Sequence, residues 1–138
     1  MEESRVSSSL SIKPVSSNVF DNYIKKNPSS FFLGVSPGSS QGRQSFFAMQ
    51  EKTIVGVLQI EQEGDFAEVV SNAVRRGYRN KGINGKMLSA LARHLQRKKI
   101  RCALIQMRRG SIRAYPKRTP FKDAGHGFLA WQRKERRH

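Results

Sequence analysis

The sequence is short of cysteine, of acidic residues and of long apolar runs, and each shortage excludes something. Cys102 is the single cysteine, so no disulfide can form within the chain. It sits in an apolar run and reads as a buried, inert thiol. The three histidines, His94, His126 and His138, share no metal-ligand spacing with it or with one another, so no metal site is expected. No stretch reaches the roughly 20 apolar residues that a membrane helix needs, and no membrane partner is expected. Residues 1–9 carry Glu2 and Glu3 and no apolar core, unlike a secretory signal or a transit peptide. The reading is a cytoplasmic protein.

Acid is scarce in a patterned way. The 138 residues hold 26 Lys and Arg against 10 Asp and Glu, a net charge of +16. Between Glu68 and Asp123 there is no carboxylate at all, whereas 16 Lys or Arg residues fall in that interval. Such a field steers polyanions in and repels cations. A polyanionic macromolecule, either an acidic protein or RNA or DNA, is therefore an expected partner. The plainer alternative is a solvated basic face with no specific partner.

The length suits one domain, which at this size buries roughly two thirds of the surface of its unfolded chain. Mean hydropathy is low at -0.60, but the apolar residues come in runs. Residues 1–9 read as a disordered segment, 10–132 as one domain and 133–138 as a basic tail. Leu10–Val15 reads as a short first strand, edged by Pro14. Ser17 or Asn18 can cap a helix carrying Phe20, Tyr23 and Ile24, which Asn27-Pro28 ends. The Gly- and Ser-rich stretch 29–43 reads as a long loop. Three strands follow, Ser45–Gln50, Thr53–Gln62 and Phe66–Val74. Their tight turns at Glu51-Lys52 and Glu63-Gly64-Asp65 imply an antiparallel meander. Gly56 marks a bulge or a close backbone approach.

After Gly85 the period changes. Met87, Leu88, Leu91, Ala92 and Leu95 share a helical face, opposite Lys86, Ser89, Arg93, Gln96 and Arg97. Ile100–Met107 then reads as a buried strand, parallel to the one before the helix because the two flank a crossover. Phe128, Leu129 and Trp131 suggest a last strand. There is no internal repeat. The fold class is α+β, a mixed central sheet flanked by helices.

Between the third meander strand and this helix lies Val74-Arg75-Arg76-Gly77-Tyr78-Arg79-Asn80-Lys81-Gly82-Ile83-Asn84-Gly85. Glycines permit close backbone approach and positive φ, and a helix start offers free N–H groups and the positive dipole end. Together they suit a pyrophosphate, and Arg79 and Lys81 add charge. The spacing is neither a dinucleotide fingerprint nor a P-loop. On physical grounds alone an ordinary Gly-rich turn on a basic surface is an equal reading.

The pattern Val74-x-x-x-Tyr78-Arg79-x-x-Gly82-x-x-Gly85 resembles the acetyl-CoA signature of the GNAT superfamily of N-acetyltransferases, Arg/Gln-x-x-Gly-x-Gly/Ala. Asn84 stands where the family has Gly or Ala. The order of elements over about residues 10–110 is similar too. The resemblance implies parallel strands that splay apart with the pantetheine arm of acetyl-CoA between them. It implies cofactor contacts from the backbone near Ala73 and Val74 and from Arg79, Asn80, Lys81, Gly82, Ile83, Asn84 and Gly85. Phe66-Ala67-Glu68-Val69-Val70 is similar to the strand that carries the general base in the histone acetyltransferase branch. It implies Glu68 as base, the alternative being a solvent-facing strand residue. Ala114-Tyr115-Pro116-Lys117 resembles the region holding the thiolate's proton donor, implying Tyr115 in that role, the alternative being a packing tyrosine.

The activity implied is acetyl transfer from acetyl-CoA to a primary amine. The positive field disfavours a histone-like tail as acceptor, and favours an amine on an acidic protein or one linked to nucleic acid. The rival reading is a basic protein on a catalytically degenerate version of the same fold, one that binds nucleic acid or sequesters a partner.

Overall fold

The computed structural model describes residues 10–27, 32, 35, 38, 42–79, 82–106 and 119–134. The expectations for residues 1–9, for most of the 29–43 loop, for Asn80, Lys81 and Tyr115, and for 135–138 lie outside them. The chain forms β1 (Ser11–Val15), α1 (Ser17–Lys26), β2 (Gln44–Gln50), β3 (Thr53–Glu63), β4 (Phe66–Val74), α2 (Ile83–Arg97), β5 (Cys102–Gln106), β6 (Lys122–Gly125) and β7 (Phe128–Gln132). The strands make one mixed sheet in the order β1-β2-β3-β4-β5-β7-β6. β1 to β4 run antiparallel, β4 and β5 are parallel, and β7 and β6 continue antiparallel. The α+β architecture expected from the sequence is present.

Each sheet face has its own apolar cluster. α2 lays Met87, Leu88, Leu91 and Leu95 onto Phe46, Leu58, Ile60, Val69, Ala103 and Ile105. On the opposite face α1 packs Phe20 and Ile24 with Phe47, Val57 and Ala73, and Tyr23 tilts onto the Phe47 ring at 5.0 Å. Burial of this kind contributes about 1.5–3 kcal/mol per large side chain.

The helix ends depart from expectation. Ser16, not Ser17 or Asn18, caps α1, because its Oγ accepts the Val19 N–H at 3.2 Å. α2 begins at Ile83, before Gly85, with Gly82 as its N-cap. At its other end the Ile100 N–H reaches the Leu95 carbonyl at 3.1 Å, and the Lys99 N–H donates to Gln96 at 3.4 Å. This is a Schellman closure. It removes Ile100 from the strand, so β5 is shorter than the apolar run suggested. Lys99 occupies the left-handed position, φ 61°, where glycine is usual. β6 was not foreseen: its residues are all exposed and lack alternation. It pairs with β7 through a tight turn in which His126 and Gly127 both have positive φ, 58° and 82°.

Two irregularities shape the middle of the sheet. The β2–β3 register shifts beside Gly56, whose missing Cβ leaves room for the Met87 thioether and the Ala73 carbonyl. The β3–β4 register shifts between Gln59 and Ile60, leaving Val70 as the extra residue on β4.

Candidate functional site

β4 is the strand on which the site is built. Its parallel ladder with β5 runs only from Phe66/Cys102 to Val69/Ile105, whereas β4 itself continues to Val74. The bulge at Val70 coincides with the end of that ladder, and the described part of β5 ends one residue later at Gln106. The Arg75 N–H donates to the Val55 carbonyl of β3 at 2.8 Å. Backbone groups alternate sides along a strand, so those of Ala73 also face β3 and, contrary to expectation, offer a ligand no contact, whereas those of Val74 point away from β3. The Arg79 Nε–H donates to the Val74 carbonyl there at 3.3 Å. The arginine side chain thus folds back over the end of β4.

Past Val74 the chain turns twice. The Tyr78 N–H closes onto the Arg75 carbonyl at 2.9 Å, and the Arg75 guanidinium lies 6.0 Å from the centre of the Tyr78 ring. Gly77 and Gly82 have φ of 92° and 75°, and a Cβ built at either would meet, beyond its chain neighbours, no atom of the described residues within 4 Å. Gly82 gives α2 no side-chain cap, and the first turn holds no acid. Only at Lys86 does the helical ladder begin, its N–H donating to the Gly82 carbonyl at 3.2 Å. The amides of Ile83, Asn84 and Gly85 therefore form the positive end of a 15-residue helix. These residues fit a pyrophosphate that approaches over the exposed Gly82: the dipole points the right way and the first turn carries no carboxylate, although Ile83 and Gly85 are themselves buried. Asn84 is the exception within the turn. Its Oδ1 is buried and meets no donor among the described residues.

Glu68 is half-buried on β4, within the stretch paired with β5. Its register partners are Glu61 on β3 and Leu104 on β5, so all three share a face, the one that also carries α1. Glu61 is held by Arg43, with Nε to Oε2 at 3.0 Å. One row along the same face, Ser45, Gln59 and Ser71 are in register, and the fully buried Gln59 donates from Nε2 to Ser45 Oγ at 3.3 Å. The sequence reading had singled out Glu68 but not this polar row. From Glu68 to Val74 the strand covers six steps, about 20 Å at 3.3 Å per residue. Glu68 thus stands about 20 Å from the end of β4 that leads into the Gly82 turn. Near the turn, burial raises the Tyr23 hydroxyl above the usual phenol range, partly offset by the Arg75 charge.

The model of the acetyltransferase (GNAT) family matches residues 17–119. The chain belongs to the GNAT acetyltransferase family. No curated sequence matches it significantly. Among solved structures it is similar to the ribosomal-protein-S18-alanine N-acetyltransferase of Escherichia coli, with a TM-score of 0.66 and 11% identity over 93% of this chain and 96% of that one. The PaiA N-acetyltransferase of Thermoplasma acidophilum, solved with coenzyme A, matches with a TM-score of 0.61 and 15% identity over 90% and 99%. A GNAT acetyltransferase from Elizabethkingia anophelis with acetyl-CoA bound gives 0.57 and 15% over 91% and 99%. At these identities the structural likeness speaks to the GNAT fold, and the family model carries the membership. No helix among the described residues is long and apolar enough to cross a membrane.

Proposed function

We propose that the protein is an acetyl-CoA-dependent N-acetyltransferase that acetylates a primary amine. One observation carries this reading: an uncapped helix N-terminus behind a left-handed Gly82, reached from a strand that runs on past its parallel ladder. The amides of Ile83, Asn84 and Gly85 hold the diphosphate, with Arg79, Asn80 and Lys81 adding contacts. The arm lies in a cleft between β4 and β5, lined by the backbone of Val74, which points away from β3, whereas the Ala73 backbone is taken up by the β3 ladder. Acetyl-CoA supplies the activated acetyl thioester. Glu68, at the root of the cleft, removes the proton from the incoming ammonium, and general-base catalysis of this kind contributes about 10²–10⁴-fold. A cleft-side amide of β4 just past the Val70 bulge donates to the carbonyl oxygen as negative charge grows on it. Tyr115 protonates the departing thiolate. The acceptor amine belongs to an acidic protein or is linked to nucleic acid, in keeping with the net charge of +16.

Thermal unfolding with and without acetyl-CoA tests the binding. At a hundredfold excess over Kd, ligand linkage adds about 2.7 kcal/mol. With an unfolding entropy of about 2.1 cal/mol/K per residue, that raises Tm by about 9 °C. Gly82→Asp, which sets a carboxylate against the phosphates, abolishes the shift; a variant that keeps it refutes the turn as the anion site. Glu68→Gln retains the shift and loses about a hundredfold or more in turnover, measured as free thiol released per amine acetylated. Unchanged turnover removes Glu68 as base.

A further inference from the structure

A groove of about 660 Å³ runs along the flank of α2, between that helix and the end of β7. Ser89, Arg93, Gln96 and Arg97 recur at helical spacing on one stripe of α2, and Lys134 forms the far rim. Ala92, Pro120 and an edge of the nearly buried Trp131 make an apolar floor. The far wall is fixed: Gln96 donates from Nε2 to the Lys134 carbonyl at 3.0 Å and accepts the Lys134 N–H on Oε1 at 3.2 Å. The lining holds three cations and no carboxylate, and none of the three has an acidic partner among the described residues.

That charge selects the occupant. A second copy, at +16, is repelled, and the sequence 107–118 adds five more cations and no acid. The complement is an anion from another molecule. Two of the three cations are arginines one helical turn apart, whose planar guanidinium groups match phosphate oxygens two at a time. An apolar floor beside a basic rim is how base faces and phosphates are received together in single-strand binding grooves. We infer that this groove docks single-stranded nucleic acid, with phosphates on Arg93, Arg97 and Lys134 and a base against Pro120 and the Trp131 edge. This is separate from the acetyl-transfer reading, since the groove starts beyond the N-terminal turn of α2.

Trp131 is the only tryptophan in the chain, so its emission reports on this groove alone. The full chain is titrated with a labelled oligouridylate, following both anisotropy and Trp131 emission at several salt concentrations. Saturable binding that shifts Trp131 emission is expected, with a log K against log salt slope that includes about -2.1 from three phosphate contacts. The Arg93→Gln/Arg97→Gln pair, both exposed, should weaken that slope by about 1.4 while leaving the thermal shift with coenzyme A unchanged. An unaltered slope and affinity in this variant overturns the inference. So does saturating anisotropy with unmoved Trp131 emission. Polyglutamate that binds at least as tightly and moves Trp131 overturns it in favour of an acidic protein partner.

Discussion

Replacing Gly56 by alanine probes how tightly β3 is packed against α2. A Cβ there would lie 2.9 Å from Met87 Cε, nearer still to the sulfur, and 3.0 Å from the Ala73 carbonyl oxygen. Met87 is fully buried against the sheet, so its thioether can move only by displacing Leu58 or its other core neighbours. Overpacking of this sort costs about 1–3 kcal/mol. The φ of Gly56 is not positive, so alanine regains about 0.4–1 kcal/mol by restricting the unfolded chain. The net expectation for Gly56→Ala is a loss of about 1–2 kcal/mol, or a fall in Tm of about 3–7 °C. Met87→Ala alone leaves a cavity and costs about 2–5 kcal/mol. In the double variant the new methyl enters that cavity, so the combined loss is smaller than the sum by about 0.5–3 kcal/mol. Urea unfolding of the four proteins measures this. Additive losses, or a neutral Gly56→Ala, refute the close contact between β3 and α2.

Two further substitutions test other details. Lys99→Gly relieves the left-handed backbone that closes α2 and should stabilise the fold by about 0.5–1 kcal/mol in the same urea titration; destabilisation contradicts the Schellman closure. Burial, with Lys98 and Arg97 adding like charge, holds His94 below its ordinary value of 6.5. The unfolded chain therefore binds the proton more readily, and stability present above about pH 6.5 is lost as pH falls from there through the folded value. His94→Gln should flatten that part of the stability profile, and an unchanged profile excludes His94 as its source.

The meander was legible because its turns announce themselves in residue type. Glu51 and Gly64 take positive φ between runs that alternate or stay apolar. The turn before α2 was legible for a similar reason: only glycine readily combines the left-handed Gly82 backbone with open space around it. The start of α2 was misplaced because Asn84 and Gly85 are poor helix formers. Packing overrides that preference, since Ile83 and Gly85 are both buried. β6 escaped notice because its four exposed residues carry no apolar period. The one signal was Gly125-His126-Gly127, with the Gly125 N–H held by Asp123 Oδ1 at 2.9 Å. The shared face of Glu61 and Glu68, and the buried pairing of Gln59 with Ser45, depend on register and on the Val70 bulge. Neither can be read from composition or spacing.

The place of β7 has a consequence for biosynthesis. Although it follows every other described strand along the chain, it lies inside the sheet, bonded to β5 on one side and β6 on the other. A nascent polypeptide cannot complete its sheet until residue 132 has left the ribosome. Until then β5 offers a raw edge with buried-type side chains, the kind of surface that recruits other unfinished chains. Stalled or truncated synthesis should therefore yield aggregates rather than a shortened working enzyme.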